Sequence, residues 1–324
     1  MYCCNFPGIS GMNKANKWEA WKFMGFTVIN SLPTPDEIRE QFPLAENLAE
    51  VKKKKDEDVK KIITGQSSKF LVIIGPCSAD NEDAVCDYAN RLAKVQEKTK
   101  DKLVIIPRIY TNKPRTTGEG YMGMLHQPDP EKKPDMLEGI LAIRRMHMRV
   151  LQETGMSTAD EMLYPDNLNY LSDMMSYIAV GARSVENQFH RLVASGCDVP
   201  VGMKNPTSGD LTVMLNSVVA AQLPHDFIFR GEEVSCPGNP LAHTILRGAV
   251  NKRGQCIPNY HYEDLQLLFH LYEKRSLKNP ACIVDTNHSN SNKQYGEQVR
   301  IAKEVLHSRR HSNDIKHLVK GLMI

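Results

Sequence analysis

The sequence predicts an α/β protein built as a (β/α)8 TIM barrel with an N-terminal helical extension. Three observations point there. Short apolar runs alternate with stretches of helical period, and eight such runs can be found along the chain. Most of these runs end in a residue capable of chemistry, as expected of a barrel that keeps its site at the carboxyl ends of its strands. No glycine-rich GxGxxG follows the first run, which argues against an open dinucleotide-binding sheet.

The elements follow in order. Residues 1–65 read as an extension, partly disordered and then helical, and residues 66–324 as the barrel, ending at strand eight. Met1 to Thr27 show no clear period. They read as a poorly ordered tail or as sequence upstream of a native initiator at Met12 or Met24, with a partner-binding arm around Trp18 and Trp21 as the alternative. Thr34 caps a helix that has Pro35 at its first position. Leu48–Ile63 is a polar helix, and its Lys52–Lys55 run is a solvated face. The eight predicted strands are Leu71–Ile74, Leu103–Ile106, Ser157–Leu163, Tyr177–Val180, Pro200–Met203, Asp226–Arg230, Ala281–Val284 and His317–Ile324. Helical spacing fills the gaps at Asn81–Lys98, Asp135–Glu153, Asn167–Met175, Val185–Ala194, Leu211–Gln222, Glu263–Lys274 and Tyr295–His307. Two connections, Thr111–Pro134 and Gly231–Tyr262, are long enough to suggest function.

Composition narrows the classes. A net charge of +3 over 324 residues gives no nucleic-acid footprint. No apolar stretch approaches the roughly 18–20 residues of a membrane span, and no signal-peptide core is apparent. Eight cysteines without a CxxC pair suggest reduced thiols and a cytoplasmic setting.

The candidate site residues sit where the runs end. Arg108, Arg183, Lys204 and Arg247 are cations at or near strand ends. Each alone reads equally as half of a structural ion pair, with Glu161 or Glu186 as partner. Several converging on one rim suggest an anionic ligand. Lys113-Pro114-Arg115-Thr116-Thr117 resembles a phosphate clamp. Cys77 and His288 suit a borderline divalent metal, and Glu161 and Asp285 read as extra ligands or as supporting groups. Lys204 also permits Schiff-base chemistry.

These motifs together resemble the type I 3-deoxy-D-arabino-heptulosonate 7-phosphate (DAHP) synthases, from about Pro33 to the last residue. The resemblance rests on Ile74-Gly75-Pro76-Cys77-Ser78, the Lys113–Thr117 run, Gly181-Ala182-Arg183-Ser184, Lys204-Asn205, Ile245-Leu246-Arg247-Gly248 and His288-Ser289-Asn290-Ser291-Asn292-Lys293. It implies a metal-dependent condensation of phosphoenolpyruvate with erythrose 4-phosphate. Cys77 and His288 would be ligands of a divalent ion such as Mn2+ or Fe2+. Arg108, Arg183, Lys204 and Arg247, with Glu161 nearby, would hold phosphoenolpyruvate. Lys113 would stand between the substrates, while Arg115 and Thr116 would hold the sugar phosphate. A homo-oligomer, dimer or tetramer, is implied as well. The family pattern continues with a Glu, an Asp and a last helix beyond Ile324. The chain as written is therefore expected to be truncated and to have little or no activity. Met122 departs from the basic residue expected in many relatives. The alternatives are an octulosonate 8-phosphate synthase, a Schiff-base aldolase using Lys204, and a non-catalytic phosphoenolpyruvate-binding remnant.

Overall fold

The computed structural model describes residues 25–324, so the readings made of the first 24 residues lie outside the described part. Helix α1 (Pro35–Gln41) starts in a capping box, with Thr34 accepting from the Glu37 amide and the Glu37 carboxylate answering the Thr34 amide. Helix α2 (Glu46–Ile63) follows. Its lysine run is largely solvated as expected, with Lys52 paired to Asp56 at 2.7 Å.

Eight parallel strands then form the barrel wall. They are β1 (Phe70–Ile74), β2 (Leu103–Pro107), β3 (Thr158–Glu161), β4 (Met175–Val180), β5 (Val201–Lys204), β8 (His243–Leu246), β11 (Cys282–Asp285) and β12 (Val319–Met323). Their order around the sheet is β2-β1-β12-β11-β8-β5-β4-β3. An Arg108–Ala159 bridge and a 2.8 Å bond from the Ile109 amide to the Ala159 carbonyl join the two ends. The outer helices are α3 (Glu82–Thr99), α4 (Met136–Thr154), α5 (Gln188–Ser195), α6 (Leu211–Gln222), α7 (Tyr262–Arg275), α8 (Glu297–His311) and the short α9 (Asn313–Leu318).

The predicted sixth strand is corrected. Asp226–Arg230 belongs to a separate hairpin, β6 (His225–Phe229) with β7 (Glu232–Cys236), outside the barrel wall. Arg230 and Gly231 both have positive φ, 56° and 84°, the conformation that two-residue hairpin turns need. The sixth barrel strand is β8, inside the stretch read as a connection. A second small ribbon, β9 (Ala249–Val250) with β10 (Cys256–Ile257), follows it. The stretch Asn167–Met175 is also shorter than expected, a 3-10 turn over Pro165–Tyr170.

Two apolar layers result from strand alternation. Leu71, Ile73, Val104, Ile106, Tyr177, Ile245 and Ile283 fill the barrel interior, and Val59, Ile62 and Ile63 of α2 join the same cluster. Helix α2 meets β4 near its start, where Ser176 donates to Asp56. It therefore plugs the amino end of the barrel. The second layer lies between wall and outer helices, with residues such as Val180, Val201, Leu215 and Leu268.

His147 and His243 are fully buried without charge. His243 donates from Nδ1 to the Leu241 carbonyl and accepts the Tyr177 hydroxyl at Nε2, both at 2.8 Å. Burial pushes His243 down to about 4 and His147 down to about 3. Their folded values lie below the ordinary value, so the stability they permit is complete above about pH 6.5 and is lost as pH falls toward those values. Chemical denaturation at about pH 7 and about pH 5 should show an acid loss that His243→Gln reduces by roughly 2 kcal/mol. An unchanged acid loss in the variant contradicts this assignment.

Candidate active site

The parallel strands deliver the candidate residues to one end. Glu161, Lys204 and Asp285 are the last residues of β3, β5 and β11, while Arg108 and Arg247 directly follow β2 and β8. Cys77, Arg183 and His288 lie three residues past β1, β4 and β11. The electrostatics confirm that they share a rim. Cys77 senses Lys113, Arg108 and Lys204, and Arg247 senses Asp285, Arg183 and Glu161.

Asp285 is the hub. It is 1% exposed, and its Oδ2 accepts from His288 Nδ1 at 2.8 Å and from Lys204 Nζ at 3.3 Å. Its other oxygen accepts the Asn287 amide at 3.0 Å. Burial would raise its carboxyl, but His288, Lys204 and Arg108 hold it well below the usual carboxylate range. The ion-pair partner of Lys204 is thus Asp285, not Glu161 or Glu186. Asp285 favours a charged His288, yet burial with Lys204 and Arg247 outweighs that and lowers the imidazole. With Nδ1 held by Asp285, Nε2 is left for another group.

Cys77 is exposed, and Lys113 Nζ lies 3.1 Å from its sulfur while also donating to its carbonyl. Burial opposes ionisation of the thiol, but Lys113, Arg108 and Lys204 together lower it. Thiolate and neutral imidazole are donors that suit a divalent metal. Among the described residues, however, no group of three or more Cys, His, Asp and Glu side chains is assembled to hold one.

Arg108 is 3% exposed and lays its guanidinium 4.2 Å from the centre of the Tyr110 ring. Arg247 is 8% exposed. Arg108 Nε and Arg247 Nη1 are buried and have no hydrogen-bond partner among the described residues. Gly181 makes room beside Glu161, because a Cβ there would stand 2.3 Å from its Oε1. Lys113 joins the rim, whereas Arg115, Thr116 and Arg183 are exposed and, among the described residues, make no side-chain hydrogen bond or ion pair.

Three asparagines fix the Arg247 corner. Asn205 Oδ1 accepts the Arg247 amide at 2.9 Å and Asn259 Nδ2 at 3.1 Å, while its Nδ2 donates to Pro206 and Gly248 carbonyls. Asn259 in turn accepts the Gly248 amide, and its own amide donates to Asn290. Asn290 closes the set by donating to Leu246 and Asp285 carbonyls. Sequence reasoning missed Asn259 and Tyr110. Asn259 stands in a long connection with no local signal, and Tyr110 is signalled only by its place two residues after Arg108.

Fold and rim together define a class: a parallel (β/α)8 barrel whose carboxyl-end mouth gathers buried cations around a thiol, an imidazole and the carboxylates of Glu161 and Asp285. The model of the DAHP synthetase I family matches residues 46–324, and the chain belongs to that family. A phospho-2-dehydro-3-deoxyheptonate aldolase of Haemophilus influenzae is 36% identical over 282 residues, covering 86% of this chain and 76% of the relative. The Tyr-sensitive aldolase of that name from Escherichia coli is 33% identical over 299 residues, covering 90% and 80%. The phenylalanine-inhibited one from Saccharomyces cerevisiae is 34% identical over 293 residues, covering 88% and 76%. The solved structure of the Francisella tularensis aldolase superposes with a TM-score of 0.84 at 28% identity, covering 93% of this chain and 86% of that one.

Replacing Asn205 by Ala strands the buried Arg247 amide and two carbonyls. The expected cost is about 2–4 kcal/mol, from about 1–3 kcal/mol for each unsatisfied buried group with partial relaxation. Denaturant midpoints measure it, and a loss below about 0.5 kcal/mol would show that the network is not structural.

Proposed function

We propose that this rim binds phosphoenolpyruvate beside erythrose 4-phosphate and joins them into DAHP with release of inorganic phosphate, the first step of the shikimate pathway. The observation that carries the reading is the pair of buried guanidinium nitrogens, Arg108 Nε and Arg247 Nη1, that lack an acceptor. Buried N–H groups are nearly always satisfied, and an anionic substrate supplies what these two lack. The names of the relatives support the same reaction.

In this reading Arg108, Arg183, Lys204 and Arg247 hold the carboxylate and phosphate of phosphoenolpyruvate, with Glu161 at their side. Arg115 and Thr116 take the phosphate of the sugar. Lys113 stands between the substrates and stabilises charge on the aldehyde oxygen as C3 of phosphoenolpyruvate bonds to the aldehyde carbon. Water then adds at C2, and the C2–O bond to phosphate breaks. The role of Asp285 is to hold Lys204 and His288 in place. Its ion pair with Lys204 suits a charge-holding lysine rather than a Schiff-base nucleophile.

The donors Cys77 Sγ and His288 Nε2 would hold a divalent ion, Mn2+, Fe2+ or similar. When bound, such an ion polarises an aldehyde oxygen as a Lewis acid. Two donors fall short of the roughly three protein ligands usual at a catalytic metal. That shortfall favours a second reading, a non-catalytic phosphoenolpyruvate-binding protein. The free cysteines among the described residues suit a reducing, cytoplasmic setting. Self-association as a dimer or tetramer is part of the proposal, and Ile228, 76% exposed on the hairpin, is apolar surface that a second copy would cover. Among the described residues no helix is long and apolar enough to cross a membrane.

Loss of the phosphoenolpyruvate absorbance tests the reaction. Consumption should require erythrose 4-phosphate and a divalent ion, stop with chelator, and not occur with arabinose 5-phosphate. Borohydride should leave Lys204 unmodified. Calorimetry should show Arg247→Met weakening phosphoenolpyruvate binding by about 10- to 100-fold, the effect of one or two charge-assisted hydrogen bonds. Binding without turnover supports the second reading, and no binding at all defeats both.

A further inference from the structure

A second concentration of unpaired positive charge lies at the opposite end of the barrel. Lys69 directly precedes β1, and Lys320 is the second residue of β12. The register pairs Leu71 with Gly321, so Phe70 and Lys320 stand just before that pair at the amino end of the wall. Leu71 faces the barrel interior. By alternation Phe70 faces outward, toward α8, and at the register shift between Val319 and Gly321 the Lys320 ammonium comes to lie 3.4 Å from where a Cβ on Gly65 would stand. Arg309 of α8 lays its guanidinium 4.6 Å from the centre of the Phe70 ring and donates Nε to the Val319 carbonyl at 2.9 Å. Its two terminal nitrogens make no hydrogen bond among the described residues. Lys316 and His317 approach from α9.

These groups surround a cavity of about 290 Å³ that Ser67 and Ser68 also line, with no carboxylate in its lining among the described residues. The acidic group that acts nearby is Asp314, which influences His317. Lys320 is only 8% exposed, and no carboxylate or carbonyl among the described residues accepts from its ammonium. Burial and the neighbouring Arg309 both work against its charge. Two like charges partly withdrawn from water with no counter-ion are costly unless a ligand supplies one.

We propose that this cavity is a second anion site, separate from the rim, for a compact dianion of the phosphate class. An arginine fork, lysine point charges and serine hydroxyls are the groups that recognise such an ion. The volume suits free phosphate or a small phosphate monoester. The site faces away from the mouth that holds Cys77 and His288, so its occupant does not compete with a substrate there.

Equilibrium dialysis of inorganic phosphate against the full 324-residue chain tests this. Wild type should bind two phosphates per chain. Lys320→Met should lose one and keep the other, and Arg247→Met should show the converse. Because the substitution removes an uncompensated buried charge, Lys320→Met should fold at least as well as wild type. A double variant at more exposed positions, Lys69→Gln with Lys316→Gln, should weaken the same site about tenfold, as losing two partly screened contacts would. Displacement by phosphoenolpyruvate at comparable concentration assigns the site to a phosphate ester, and its absence assigns it to free phosphate. Unchanged stoichiometry and affinity in both variants overturns the proposal. A loss confined to Arg247→Met does so too, whereas a loss confined to Lys320→Met upholds it and counts against the rim reading instead.

Discussion

One buried carboxylate organises the mouth of this barrel. Asp285 ties together Lys204 from β5 and His288 from the loop after β11, and it sits within the field of Arg108 from the far side of the wall. Without it, three cationic or cation-competent groups would face one another in a place with little water to screen them. With it, positive charge still exceeds negative. The remainder is the two buried guanidinium nitrogens without acceptors. The mouth is therefore held in a charge-strained state that a dianionic ligand would relieve. The same surplus that makes it costly when empty makes it selective when filled.

The asparagine network solves a different problem. Arg247 follows β8 into a loop, and a loop alone would let its guanidinium wander. Asn205, Asn259 and Asn290 fix the backbone on both sides of it, using side-chain amides to satisfy main-chain groups that no strand pairs. Neutral amides do this without adding charge to a site where every charge matters. Arg247 is thus positioned by uncharged neighbours, while Asp285 holds Lys204 and sets the field.

Much of this was legible in the sequence. A cation at the end of an apolar run has few places to go, so Lys204 and Arg108 announced themselves. The helix start at Thr34 was readable because a capping threonine and a first-position proline stand side by side, and the structure adds Glu37 to complete a capping box. The sixth strand was not. His243 and Thr244 face buried polar partners, Tyr177 and Tyr272, so β8 lacks the unbroken apolar signature of its neighbours. The alternating Asp226–Arg230 segment has that signature in part because one face of its hairpin packs on α5 through Phe229 and Phe189. Asp285 was visible as a residue but not as a hub, since its partners come from positions 204 and 288. Asn259 was invisible for the same reason: its meaning lies in a contact with Asn205, 54 positions away.

Helix α2 has a kinetic consequence. By seating Val59, Ile62 and Ile63 in the floor of the barrel, it turns a cylinder into a cup. Everything that enters the centre must leave through the same opening. Under the proposed reaction the two reactants would share that doorway, so the deeper one would have to enter first and the products leave before the next round could begin.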